Sequence, residues 1–254
     1  MTGLEVAAVL LAGVAAGTIN TVVGSGTLIT FPTLLALGVP PVTANVSNTV
    51  GLVPGSLSGA VGYRRELAGQ RSRLLRLASA SVLGGIAGAV LLLVLPSSAF
   101  DAIVPVLIGI GVLLVILGPA IQRKVAARHA ARGGIPEHGA AWVWPAVAGA
   151  GVYGGYFGAA QGVLLMAILG IGVDDDLQRH NATKNVLALL VNAVAAVVFI
   201  AVADVDWPIA GLIAVGSVVG GQIGAGVGRR LPATLLRAVI VVVGVVALTV
   251  FLRG

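Results

Sequence analysis

The sequence predicts an all-α polytopic membrane protein built from two inverted-topology repeats. Each repeat is expected to be a broken or re-entrant helical hairpin followed by three transmembrane helices. Three observations carry that prediction. The first is apolarity: mean hydropathy is +1.07, and only 9% of the 254 residues are charged, against about 25% in a soluble domain. Uncharged runs such as 103–121 and 186–203 are long enough to cross a bilayer. The second is internal repetition. Ser81-Val-Leu-Gly-Gly-Ile-Ala-Gly-Ala89 recurs as Ser217-Val-Val-Gly-Gly-Gln-Ile-Gly-Ala225, Leu95-Pro96 as Leu231-Pro232, and Gly13-Val-Ala-Ala-Gly17 as Gly151-Val-Tyr-Gly-Gly155, while Asn48 falls opposite Asn185. Duplicated halves in an apolar chain are the usual build of a secondary transporter. The third is the placement of charge. All but one of the 15 Lys and Arg lie in four stretches: Arg64 to Arg76, Arg123 to Arg132, Arg179 with Lys184, and Arg229 to Arg237.

Basic loops stay on the cytoplasmic side. Loops 63–76, 123–141, 174–184 and 229–237 are therefore expected inside. Loops 96–101 and 204–207, which carry Asp101, Asp204 and Asp206 and no basic residue, are expected outside. The elements follow in order. Residues 4–38 form a hairpin, 4–23 and 26–38, broken at Gly24-Ser25-Gly26. Its second arm offers about a dozen residues against the ~20 that a span requires. Segment 42–62 ends at the Arg64 cluster and so runs inward; 74–95 and 102–121 complete the first repeat, residues 1–121. Residues 122–141 read as a cytoplasmic linker. The second repeat, 142–254, has a hairpin 142–173 broken at Gly158-Ala-Ala-Gln161-Gly162, then spans 185–203, 208–228 and 233–252. Three spans per half is an odd number, so the halves are inverted and both termini lie outside. The first hairpin dips in from outside and the second from inside. Irregular backbone at membrane depth is tolerated only where protein or a cavity satisfies it, so the two tips are expected to meet at the repeat interface.

The remaining punctuation has plain readings. Trp142, Trp144 and Trp207 fall at predicted edges, as an interfacial belt does. Asn192 and Gln222 read as interhelical glue, and Gly216, Gly220, Gly224 and Gly228 as a close-packing face, within the fold or between subunits of a homodimer. The absence of cysteine excludes a thiolate nucleophile or a Cys-based metal site. Met1 to Glu5 lack the basic start of a signal peptide. Asp174-Asp175-Asp176 reads as a solvated loop or a helix start rather than a metal site, because acids suit a first turn. The residues imply no cofactor, no metal and no nucleic-acid partner.

The candidate site is a set of polar side chains beside the tips. Asn20, Thr21, Ser25 and Thr27 surround the first tip, where a helix starting near Thr27 would aim its N–H groups inward and favour an anion. The alternative is that Ser25 and Thr27 cap that helix. Asn45, Ser47, Asn48 and Thr49 open the first span, and Asn181, Thr183, Lys184 and Asn185 open its counterpart; the alternative is again capping. Lys184 could balance a bound sulfonate, sulfite or carboxylate, or else snorkel to the inner interface. Tyr153, Tyr156 and Gln161 in the second hairpin can donate to oxyanions, or the tyrosines pack as core. Arg179 and His180 read as solvated loop. No carboxylate lies in the middle of a predicted span.

The run Phe31-Pro-Thr-Leu-Leu-Ala-Leu-Gly38, the run Ala44-Asn45-Val46-Ser47-Asn48, the hairpin Gly151-Val-Tyr-Gly-Gly-Tyr-Phe-Gly158 and Asn181-Ala-Thr-Lys-Asn185 resemble the TauE/SafE family of sulfite-exporter-like permeases, also called the 4-toluene sulfonate uptake permease family. The likeness covers nearly the whole chain, although the family's first tip is usually richer in glycine. The resemblance implies a permease for small sulfur-containing anions such as sulfite or organosulfonates, in the inner (plasma) membrane. The competing classes are a passive channel, a membrane scaffold and an intramembrane lipid-phosphatase-type enzyme. That enzyme needs an acid or base and phosphate-holding arginines at the site, whereas the arginines here lie in loops.

Overall fold

In the computed structural model, residues 1–130 and 139–226, with 238, 241–243, 245, 246, 248 and 249, are described. The expected last span, 233–252, lies mostly outside the described residues, as does 131–138 of the linker. The described chain forms α1 (Gly3–Val22), α2 (Thr27–Ala36), α3 (Pro41–Gly62), α4 (Arg71–Val94), α5 (Ser97–Ala130), α6 (Val143–Tyr156), α7 (Gln161–Gly172), α8 (Leu177–Val202) and α9 (Trp207–Gly226). Among the described residues there is no strand.

Five of these helices, α1, α4, α5, α8 and α9, are long and apolar enough to cross a membrane. Their outward faces carry Leu11, Leu83, Val94, Val106, Leu113, Val197, Val202 and Val215, all exposed. Hydrocarbon tolerates such a surface and water does not. The 22-residue α3 is as long as the others, but Asn45, Ser47, Asn48 and Thr49 within it lower its hydropathy, and all four are buried. The hairpin arms α2, α6 and α7 have 10, 14 and 12 residues, about 15–21 Å at 1.5 Å per residue, too short for a ~30 Å core.

Each arm ends for a local reason. Thr2 and Glu5 form a reciprocal capping box that starts α1. At its end the N–H groups of Val23 and Gly24 both donate to Ile19 O, and Gly24 is left-handed at φ 90°. The second tip repeats this: Phe157 and Gly158 donate to Tyr153 O, with Gly158 at φ 80°. Both are C-terminal caps that need φ > 0.

Packing pairs the two halves. α1 lies along α9, and α6 along α4; α3 contacts α8 and α9, and α8 contacts α3 and α4. The two repeated glycine motifs are the seams. A Cβ on Gly220 would overlap Val14 O of α1, and one on Gly84 would overlap Ala148 O of α6. The stripe of Gly216, Gly220 and Gly224 is thus occupied within the chain. Asn192 donates to Ser56 Oγ and Gln222 to Ser58 Oγ, across helices.

Three boundaries differ from expectation: α5 starts at Ser97 rather than near 102, so most of the loop expected at 96–101 is helical, and two further differences have a visible cause. α8 begins at Leu177, not near 185, because the Asp176 carboxylate accepts from Arg179 N–H at 2.8 Å and caps it. The cluster read as a cytoplasmic loop, Arg179 to Lys184, is therefore helical, and His180 is buried. α5 continues past 121 to Ala130, because Gln122-Arg-Lys-Val-Ala-Ala-Arg is rich in good helix formers.

Candidate functional site

The two tips touch. Gly162 N–H donates to Gly24 O at 2.9 Å, and a Cβ on either glycine would overlap the other's Cα. The starts of α2 and α7 are thereby brought together. Neither start has a side-chain cap: the N-cap residues are Gly26 and Ala160. Ser25 Oγ and Gln161 Nε2 lie at these starts, buried and without a hydrogen-bond partner. Capping, the alternative for Ser25, is therefore not its role. Near the tips Phe31, Phe100 and Phe157 pack edge to face, with Phe31 and Phe157 centroids 5.0 Å apart, and the Tyr156 ring lies tilted against Phe100.

Lys184 neither snorkels nor sits in a loop. It is fully buried, and its Nζ donates to Asn20 O at 2.9 Å and Thr21 O at 3.2 Å. Those carbonyls belong to the last turn of α1, which has no intrahelical partners and carries the negative end of the helix dipole. Asn181 and Asn185 also donate to Thr21 O, at 3.2 and 3.3 Å. Asn20 ties this cluster to the tip, since its Oδ1 accepts from Gly26 N–H at 3.2 Å. No carboxylate balances the lysine: of the two ion pairs among the described residues neither includes it, and no Asp or Glu there is fully buried. An unpaired buried ammonium costs several kcal/mol even after relaxation. Two carbonyl dipoles offset part of that and leave one N–H of the ammonium available.

The first half arranges its residues differently. Asn48 accepts from Thr30 Oγ1 and donates to Thr27 Oγ1 at 3.4 Å, bracing α2. Asn45 donates to Tyr156 O, the last residue of α6, at 2.9 Å. That duplicates the job of Asn181 on α1, so Asn45 and Asn181 are partners, 136 residues apart. The contact between Ser56 and Asn192, also 136 apart, fixes the same register for α3 and α8. Asn48 is therefore matched by Lys184, and Asn185 by Thr49, a shift of one from the sequence alignment. The second half carries a cation where the first carries an amide.

Other predicted residues sit elsewhere. Tyr153 OH donates across the tip to Ala159 O. The Tyr156 ring packs on Phe100 while its buried OH has no partner. Ser47 Oγ accepts from Asp206 N–H at 2.9 Å, and Thr183 donates to Gln70 Oε1 at 2.9 Å; neither joins the tips. Sequence reading overlooked Gln70 and Arg73, which are buried at one end. The residues 70 to 73 read as part of a basic loop, and only their burial distinguishes them. Asp175, in the acidic run, is held by Arg73 and Arg179. Burial pushes its carboxyl up, but the Arg73 hydrogen bond and charge, with Asp176 N–H and the Arg179 charge, outweigh this and hold it below the ordinary carboxylate value. Among the described residues no cluster of three metal-ligating side chains occurs.

The profile of the family described as Sulfite exporter TauE/SafE matches residues 9–251. The chain is 26% identical to the "Probable membrane transporter protein YfcA" of Escherichia coli (strain K12), over 91% of this chain and 83% of that protein. It is 26% identical to the "Probable membrane transporter protein ORF9" of Sinorhizobium sp., over 91% and 85%. It is 25% identical to a "Probable membrane transporter protein" of Haemophilus influenzae, over 94% and 92%. No solved structure matches the chain significantly.

Proposed function

The chain belongs to the sulfite exporter TauE/SafE family and is a multi-pass membrane transporter rather than an enzyme, and we propose that it carries small sulfur-containing anions, sulfite or organosulfonates such as sulfoacetate. In this reading the two repeats are inverted, the arginine-rich end faces the cytoplasm, both termini lie outside, and the anion sits between the two tips. The observation that carries it is Lys184: fully buried, with no carboxylate partner among the described residues, and tied through Asn20 to a tip whose Ser25 Oγ is unpartnered. A buried ammonium with two neutral acceptors is stabilised by an anion that enters beside it. Ser25, Gln161 and the remaining N–H of Lys184 are the direct donors. Asn45, Thr27, Asn48 and Asn185 hold the tips in place. Alternating access follows when one repeat moves against the other around the fixed site.

Purified protein in detergent, melted in the presence of sulfite, thiosulfate, taurine, sulfoacetate, sulfolactate and matched carboxylates, tests the cargo. A ligand at roughly a hundredfold over its Kd adds about 2.7 kcal/mol to the native state. For a chain of this size that raises Tm by about 5–10 °C. Stabilisation by one sulfonate or by sulfite, lost in Lys184→Ala, is the expected result. A response to carboxylates alone overturns the sulfur assignment and leaves the anion site. Silence to every anion overturns both. Saturable flux with counterflow in liposomes separates a carrier from a channel.

A further inference from the structure

The repeat register exposes a difference between the two ends of the molecule. At one end, the α3–α4 connection meets the α7–α8 connection. Asp175 accepts from Arg73 of the first half and from Arg179 Nε of the second, the latter at 2.6 Å. Gln70 Oε1 accepts from both Arg73 and Thr183. Arg179 also donates to Ala68 O at 3.1 Å. Arg73 is 8% exposed, so this is a largely desolvated tie between the halves.

Shifting each residue by 136 gives its counterpart at the opposite end. Gln70 becomes Asp206 and Thr183 becomes Ser47, and those two are bonded as well: Asp206 N–H donates to Ser47 Oγ at 2.9 Å. The ionic members have no ionic counterparts. Arg73 becomes Ile209 and Asp175 becomes Val39, and Val39 packs against the core cluster that holds Ile209. One end is held by a charge network, and the other, at positions that the repeat makes equivalent, by apolar contact and hydrogen bonds of Asp206 with Ser47 and Ile209 N–H, without an ion pair among the described residues.

We infer that Arg73, Asp175 and Arg179 form the inner gate of the transport cycle, closed in this structure, and that it must part for the site to open to the cytoplasm. The inference rests on the alternating-access reading above. The chemistry of the two ends suits unlike opening steps. Separated charges are rehydrated when the ionic end parts, which offsets the lost attraction. Parting the apolar end exposes hydrocarbon to water, and no such compensation exists.

The natural absence of cysteine gives a clean reporter. Ala159→Cys, at the second tip but not among the proposed donors, is introduced in the full chain and reacted in inside-out membrane vesicles with a membrane-impermeant maleimide. Labelling of the Cys-bearing parent protein is expected to be slow and to quicken on addition of sulfoacetate. Asp175→Asn in the same background is expected to raise the labelling rate about tenfold, the scale of one charge-assisted hydrogen bond. Asp175→Glu should stay near the parent, and Val39→Asn at the opposite end should leave the inner-side rate unchanged. If Asp175→Asn does not yield folded protein, Arg179→Gln removes the more exposed partner and carries the same test. An anion-dependent rate that Asp175→Asn or Arg179→Gln leaves at the parent value overturns the gate and spares alternating access. A tip that no variant and no anion makes reachable from the inner side overturns alternating access itself, and the gate with it.

Discussion

At the scale of single residues, Lys184 and Asp175 show how burial changes what a charge does. Lys184 occupies the slot that Asn48 fills in the other half, and it bonds carbonyls instead of an acid. Replacing a buried charge with an apolar group of similar shape is often neutral for stability. Lys184→Met is therefore expected to fold with Tm within about 5 °C of the parent, while losing all stabilisation by anions; thermal melts with and without ligand check both halves of that statement. A collapse of the fold would mean that the lysine is structural. Asp175 has the opposite partnership, two guanidinium groups. Its carboxyl is held below the ordinary value, so the stability it contributes is present above the unfolded-state pKa and lost as pH falls through the lowered one. Acid titration of Tm should show a drop below the usual carboxylate range that is smaller in Asp175→Asn.

At the scale of elements, the tips decide the geometry, and glycine is required at one of them for two reasons at once. Gly24 is left-handed at φ 90°, and its Cα abuts Gly162. Gly38 is also left-handed, at φ 79°, but has nothing within 4 Å. Gly38→Ala is expected to cost about 1 kcal/mol, the conformational term alone. Gly24→Ala adds backbone overlap and is expected to cost about 3 kcal/mol or more, separating the tips. Paired denaturation curves distinguish the two variants; equal costs would mean that the tips are free to part. The hairpin arms were legible as elements, because Gly24-Ser25-Gly26 and Gly158-Ala-Ala-Gln161 interrupt apolar runs. The start of α8 was not, because an acidic cap followed by Arg, His, Asn and Lys reads as a water-exposed loop until their partners on α1 and α4 are known.

At the scale of the whole molecule, the two halves supply each other's missing contacts. The first arm of each half lies on the glycine seam of the other, and Asn45 and Asn181 exchange bonds to the last turn of the opposite arm. Single cysteines in the Cys-free chain map the orientation. Positions 69 and 174 are expected to label from the cytoplasmic face, and 97 and 204 from the outside. Labelling of all four from one face would remove the inverted topology and the gate assignment together.

The sequence by itself determined the membrane class, the repeat, the glycine tips and the polar clusters beside them, because hydropathy, duplication and turn chemistry are local properties of the chain. It also marked Lys184 as a candidate, from its place before an uncharged span beside Asn181 and Thr183. Only the tertiary structure decided which clusters meet, that the register is 136 at α3 and α8, that Ser47 and Thr183 bind at opposite ends instead of at the tips, and that Arg73 and Asp175 join the halves. Those outcomes depend on which carbonyls a helix leaves unbonded and which neighbour reaches them, and that is settled by packing between residues more than a hundred positions apart.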